Sequence, residues 1–178
     1  MSLGLIEVGL VVLALGCGGP RSEPLDGTSA NLGGSEMTGV TGIGGIFFKS
    51  DDPAMTLEWY RTHLGVEYND WGGFPFQWRE RDRPDEIGYT VWGAFPDTTA
   101  YFAPSESPFM INFRVADIEA LVAALREGGV EVVGEIEQHP NGKFAWILDP
   151  EGRKIELWEP VPSNDDPYLQ DEKGDGAR

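Results

Sequence analysis

The chain has 178 residues, enough for one domain of ordinary size or two small modules, and its 13 Lys and Arg stand against 30 Asp and Glu for a net charge of −17. Residues 38–161 alone carry −11, a field that repels phosphate backbones and anionic headgroups, so nucleic-acid binding is excluded. One cysteine, Cys17, rules out an intramolecular disulfide and a Cys-based metal cluster, two histidines (His63 and His139) rule out a His-rich one, and no run reaches the roughly 18 apolar residues of a spanning helix.

Residues 1–17 are read as a lipoprotein signal peptide and lipobox, with Val8–Leu15 as the apolar core and Cys17 as the lipidated residue. The alternative is a protein whose translation starts at Met37 and which stays in the cytoplasm. Residues 18–38 form a polar tether rich in Gly, Ser, Pro and acid. Gly42–Lys49 reads as a buried strand, and its glycines do not make a dinucleotide fingerprint. Asp52-Pro53 is an N-cap followed by an N1 proline. Leu57, Tyr60 and Leu64 then form an apolar stripe, and Gly65 ends the helix. Strands are expected at Val66–Tyr68, Phe74–Arg79 and Tyr89–Ala94, with a solvated loop over Glu80–Ile87.

The pattern repeats about 65 residues later. Phe109–Val115 is a strand, Asp117 caps a helix with Ile118, Leu121, Val122 and Leu125 on one face, and strands follow at Val130–Val133 and Lys143–Leu148. The turn Asp149-Pro150-Glu151-Gly152 then leads into Lys154–Trp158. Phe76-x-Trp78 matches Phe144-x-Trp146, and Tyr89–Trp92 matches Ile155–Trp158, so the expected fold is α+β, two tandem βαβββ modules sharing one core over residues 39–161. Residues 162–178 read as a disordered acidic tail.

The doubled pattern, the helix end Trp59–Val66 (W-Y-R-T-H-L-G-V) and the closing D-P-E-G-R-K-I-E-L at Asp149–Leu157 resemble the vicinal oxygen chelate superfamily. That group includes glyoxalase I, bleomycin- and fosfomycin-resistance proteins and extradiol dioxygenases. The resemblance implies sheets curled around a cup, with four inward positions that hold a divalent metal in metal-dependent members. Here these are Gly45, Thr90, Met110 and Glu156, of which only Glu156 has the family's ligand chemistry. Since catalytic sites normally need about three protein ligands, any metal would be held weakly, and no cofactor is expected. Strand alternation adds Phe47 and Lys49, Trp92, Asn112 and Arg114, and Lys154 and Trp158 to the inward set. His139 lies in a turn and reads as a surface residue, and with Asn141 it is a candidate to flank the mouth, which spacing does not show.

Two functions are weighed. One is a binding protein that takes up a small organic molecule in the cup. The other is a lyase, isomerase or dioxygenase-like enzyme in which Glu156 acts as general base or acid beside Arg114, with or without a weakly held metal. A structural Arg114–Glu156 pair is the bland alternative to both. Family modules pair within or between chains, which leaves a homodimer open.

Overall fold

The computed structural model describes residues 39–69, 72–81 and 83–170, so the signal-peptide and tether readings lie outside the described residues. Its order is β1 (Val40–Ser50), α1 (Pro53–Leu64), β2 (Gly73–Arg79), β3 (Ile87–Pro96), β4 (Phe109–Val115), α2 (Ile118–Glu127), β5 (Val132–His139), β6 (Gly142–Leu148), β7 (Lys154–Pro160) and a final turn α3 (Pro167–Gln170).

The helix ends follow from their sequences. Asp52 Oδ1 accepts from Met55 N at 2.9 Å, Pro53 opens α1, and Gly65 closes it at φ 66°, a left-handed turn that a β-carbon would strain. Asp117 does the same for α2 by accepting from Ala120 N at 2.9 Å. A second acceptor reaches that helix from the sheet: Glu159 Oε2 takes the N–H of Ile118 at 2.7 Å and ties α2 to the end of β7. In the turn before β7, Asp149 Oδ1 accepts from both Glu151 N and Arg153 N at 2.9 Å, and Gly152 sits at φ 76°.

All seven strands form one mixed sheet in the order β2-β3-β1-β4-β7-β6-β5. The two halves meet at the antiparallel β1–β4 pair, where Gly45 lies opposite Asn112, and each of these strands has a parallel neighbour, β3 and β7. The amphipathic α2 packs Ile118 and Val122 against Val115, Ala145, Ile147 and Leu157 on one face, a core of aliphatic side chains. Phe48 and Trp92 cover the same face under α1, with their rings 4.8 Å apart and Tyr60 of the helix 5.5 Å from Trp92. The opposite face carries aromatic and polar side chains instead.

Three expectations are corrected. Residues 66–68 are not a strand, so the first half is strand–helix–strand–strand, while the second has the extra strand β5. That strand is longer than Val130–Val133 and carries His139 as its last residue. The segment after β7 is not all disordered tail. Asp166 and Leu169 are buried, and Leu169 packs with Tyr89 and Trp158. Low apolar content hid this anchor, which includes the buried Leu169 and a hydrogen bond from Tyr89 Oη to Asp166 Oδ2 at 2.8 Å. Residues 171–178 lie outside the described residues.

Burial raises the Asp166 carboxyl above its ordinary value of 3.8, while the Tyr89 hydrogen bond works in the opposite direction. With a raised folded value the native state keeps the proton longer than the unfolded chain. Ionising Asp166 therefore costs stability, beginning near 3.8 and growing with pH. Relative to an Asp166→Asn variant, the protein is expected to lose stability as pH rises through that window. Parallel melting profiles between about pH 3 and 7 test this, and a difference that does not change with pH would refute it.

Candidate functional site

Glu156 is the centre of the aromatic face. Because β7 pairs parallel with β4 and antiparallel with β6, it has Asn112 on one side and Trp146 on the other. Its side chain is 2% exposed and accepts three hydrogen bonds. Asn112 Nδ2 donates to Oε1 at 2.6 Å, Trp146 Nε1 donates to Oε2 at 2.8 Å, and Tyr101 Oη donates to Oε2 as well. A carboxylate oxygen can take about two donors, so Oε2 is saturated and Oε1 keeps one free lone pair. Burial, followed by the negative charge of Glu156, pushes the Tyr101 hydroxyl well above its ordinary range, which keeps it a donor. Lys154 lies behind this group. Its Nζ donates to Tyr101 O at 2.7 Å and sits over the Tyr101 and Trp146 rings, and burial lowers its pKa.

In front of Glu156 lies a cavity of about 240 Å³. Phe47, Val91, Phe95, Phe144 and Trp158 wall it, with Tyr89 and Asn141 at the side and Glu156 and Asn112 providing polar lining. Gly44 lets its neighbours pack against the backbone of β1: a methyl there would overlap Asn112 Oδ1 and come within 2.8 Å of the Trp158 ring. Trp158 is fixed on several sides. It stacks on Phe144 at 6.0 Å, meets Tyr89 at 5.1 Å, and donates Nε1 to Asn141 O at 3.0 Å.

The expected inward set divides. Phe47, Asn112, Glu156 and Trp158 line the cavity. Met110 is buried on the same face but packs among Phe102, Trp146 and Phe47. Thr90 and Trp92 do not reach the cavity. Thr90 Oγ1 donates to Ile43 O at 2.7 Å and accepts from Trp78 Nε1 at 3.1 Å, and Trp92 is under α1. Their neighbours Tyr89 and Val91 line it instead, which is a one-residue slip in β3. The β1–β3 register sets Val91 beside Gly45, and both faces of this strand are apolar enough that hydropathy does not fix its parity.

Arg114 does not meet Glu156. Its Nη2 pairs with Glu80 Oε1 at 3.2 Å, its guanidinium lies between Trp78 and Trp158 at 5.0 and 5.1 Å, and it lines a separate recess of about 700 Å³. The β4–β7 register explains this, because Arg114 stands opposite Trp158, one inward position beyond Glu156. His139 pairs with Glu137 and lies edge-on to Phe144 beside a third recess. Tyr101 gave no signal in the sequence, since it sits in the loop between β3 and β4. Trp146 did: counting back across the Asp149–Gly152 turn sets it opposite Glu156.

The family's metal does not fit these donors. Gly45 offers no side chain, the Thr90 hydroxyl is already committed, Met110 is a soft thioether among rings, and Glu156 has three protein donors on its two oxygens. Asp117, Glu119 and Glu159 cluster elsewhere, but Lys143 bridges Glu119 and Glu159, and Asp117 and Glu159 cap α2.

Residues 42–157 match the family model described as the Glyoxalase/Bleomycin resistance protein/Dioxygenase superfamily. Among solved structures, methylmalonyl-CoA epimerase from Mycobacterium tuberculosis is similar at 24% identity, covering 76% of this chain and 97% of that one with a TM-score of 0.47. A Streptomyces coelicolor methylmalonyl-CoA epimerase in complex with 2-nitronate-propionyl-CoA is similar at 20% identity, over 69% of this chain and 99% of that one, TM-score 0.49. The 2,3-dioxygenase LapB from Pseudomonas sp. KL28 is 23% identical, over 70% of this chain and 42% of that one, TM-score 0.44. No curated protein matches the chain.

Proposed function

The chain belongs to the Glyoxalase/Bleomycin resistance protein/Dioxygenase superfamily, and from that membership we propose that it is a small-molecule-binding member that works without the family's metal. The observation that carries this reading is the cavity: an aromatic wall closed by two buried polar residues, on the sheet face where a metal would need ligands that are missing. The test is direct. Small aromatic compounds should quench or shift the tryptophan emission of the purified protein through Trp158. Elemental analysis is expected to find well under one equivalent of Zn, Ni, Fe or Mn per chain; about one equivalent would overturn the metal-free part.

A second reading has one specific support. Glu156 borders the cavity and keeps a free lone pair on Oε1, so it has room to take a proton from a carbon next to a carbonyl. Arg114, turned to Glu80, is not placed to steady the resulting oxyanion. A lyase or isomerase of this kind would rely on Glu156 and the cavity dipoles alone, and solvent deuterium exchange into a bound carbonyl compound would reveal it.

The same proposal includes a lipid anchor at Cys17 in the cell envelope. Cys17→Ala is expected to leave an unprocessed precursor and remove the protein from the detergent-soluble membrane fraction. A protein of unchanged size and solubility with translation beginning at Met37 would instead place it in the cytoplasm.

A further inference from the structure

Resting on that binding reading, we infer that residues 164–170 form a strap that completes the cavity, and that Tyr168 on this strap limits the guest to a single aromatic ring.

The family match ends at residue 157, yet the chain beyond it returns to the site. β7 ends at Pro160, in the second half of the sheet. Val161 N then donates to Asn141 O at 3.2 Å, and a turn follows in which Asp165 N donates to Pro162 O at 2.8 Å. From there the segment reaches β3, which the sheet order separates from β7 by β1 and β4. Asp166 pins it. Its Oδ2 accepts from the Tyr89 hydroxyl at 2.8 Å, and its Oδ1 accepts from Tyr168 N at 2.9 Å. Leu169 packs with Tyr89 and Trp158. One carboxyl group thus grips β3 and fixes the backbone of Tyr168, and Tyr89, Trp158 and Tyr168 all line the cavity.

The burial along the strap gives each residue its part. Asp166 and Leu169 are 1% and 7% exposed, so the segment is packed rather than loose, while Tyr168 between them is 45% exposed. Its ring therefore stands at the rim of the cavity, whereas Glu156 and Trp158, each 2% exposed, belong to the interior. An apolar cavity of about 150 Å³ takes one benzene ring. The cavity here, about 240 Å³, suits one ring with a short substituent. Its buried side does not give way, because the interior is close-packed, so a second fused ring would extend toward the rim and meet Tyr168. Asp166 is then a positioning residue, acting on the guest through Tyr168.

The experiment is a calorimetric titration of the full-length protein with benzyl alcohol and with 2-naphthalenemethanol, which carry one handle on one and two rings. The wild type is expected to bind the one-ring alcohol at least as tightly as the two-ring one. Tyr168→Ala should shift the ratio of the two affinities about tenfold toward the two-ring alcohol, the low end of what a hydrophobic pocket discriminates. Tyr168→Phe keeps the ring and should leave the ratio in place. Asp166→Ala, which frees the strap, should shift it in the same direction as Tyr168→Ala. A wild type that binds the two-ring alcohol tenfold tighter, or an unchanged ratio in Tyr168→Ala, would overturn the size limit and leave the binding reading intact. A Phe variant that shifts as far as the Ala variant would overturn the assignment to the ring. A lower melting temperature in Asp166→Ala with an unchanged ratio would overturn the positioning role. Binding of neither alcohol to any of these proteins would overturn the binding reading together with this one.

Discussion

Replacing Glu156 by Ala is expected to lower stability by about 3–5 kcal/mol, with a melting temperature roughly 10 °C lower. The cost does not come from an ion pair, since Arg114 is committed to Glu80. It comes from the donors left behind. Tyr101 Oη, Trp146 Nε1 and Asn112 Nδ2 all converge on this one carboxylate, and no other acceptor replaces it. Each buried donor without a partner costs about 1–3 kcal/mol, less whatever the Tyr101 hydroxyl recovers by rotating toward water. Glu156→Gln should cost far less than the alanine change, because its amide oxygen keeps the bonds from Tyr101 and Trp146 and a turned Asn112 accepts from its amide nitrogen. Denaturant unfolding of both variants separates the accounts. An alanine variant as stable as the glutamine one would mean that the three bonds contribute nothing.

Trp158→Ala is expected to cost about 3–5 kcal/mol and to abolish ring binding in the cavity. The indole is 2% exposed and joins both halves of the sheet face: Phe144 stacks on it, Tyr89 meets it from β3, and Arg114 lies over it at 5.1 Å. Removing it also strands the carbonyl of Asn141 and takes away one aromatic wall of the cavity. Trp158→Phe keeps a ring but loses the Nε1 bond and part of the buried ring volume, so it should recover part of the stability and not all of it. Equal losses in the two variants would show that the hydrogen bond, not the packing, is what holds this wall.

Much of this protein was legible without coordinates because the signals were local. Asp52-Pro53 and Asp117 cap helices that end at glycine, and the apolar stripe of α2 packs as spaced, whereas α1 buries only Leu57 of its stripe and leaves Leu64 60% exposed. The D-P-E-G turn set the β6–β7 hairpin, and the closing motif carried the family resemblance that the match over residues 42–157 supports. That Glu156 and Asn112 share a face followed from alternation along two strands. The tertiary structure decided what these groups do to one another. Tyr101 reaches Glu156 from a loop 55 residues away, a closure that no periodicity encodes. Arg114 turned to Glu80 because a parallel register put it one step past the carboxylate. Val91 rather than Thr90 lines the cavity because a central strand with apolar side chains on both faces has no hydropathic parity of its own, and its neighbour β1 imposes one. Sequence fixes which groups lie along each strand; only the pairing of strands fixes which of them meet.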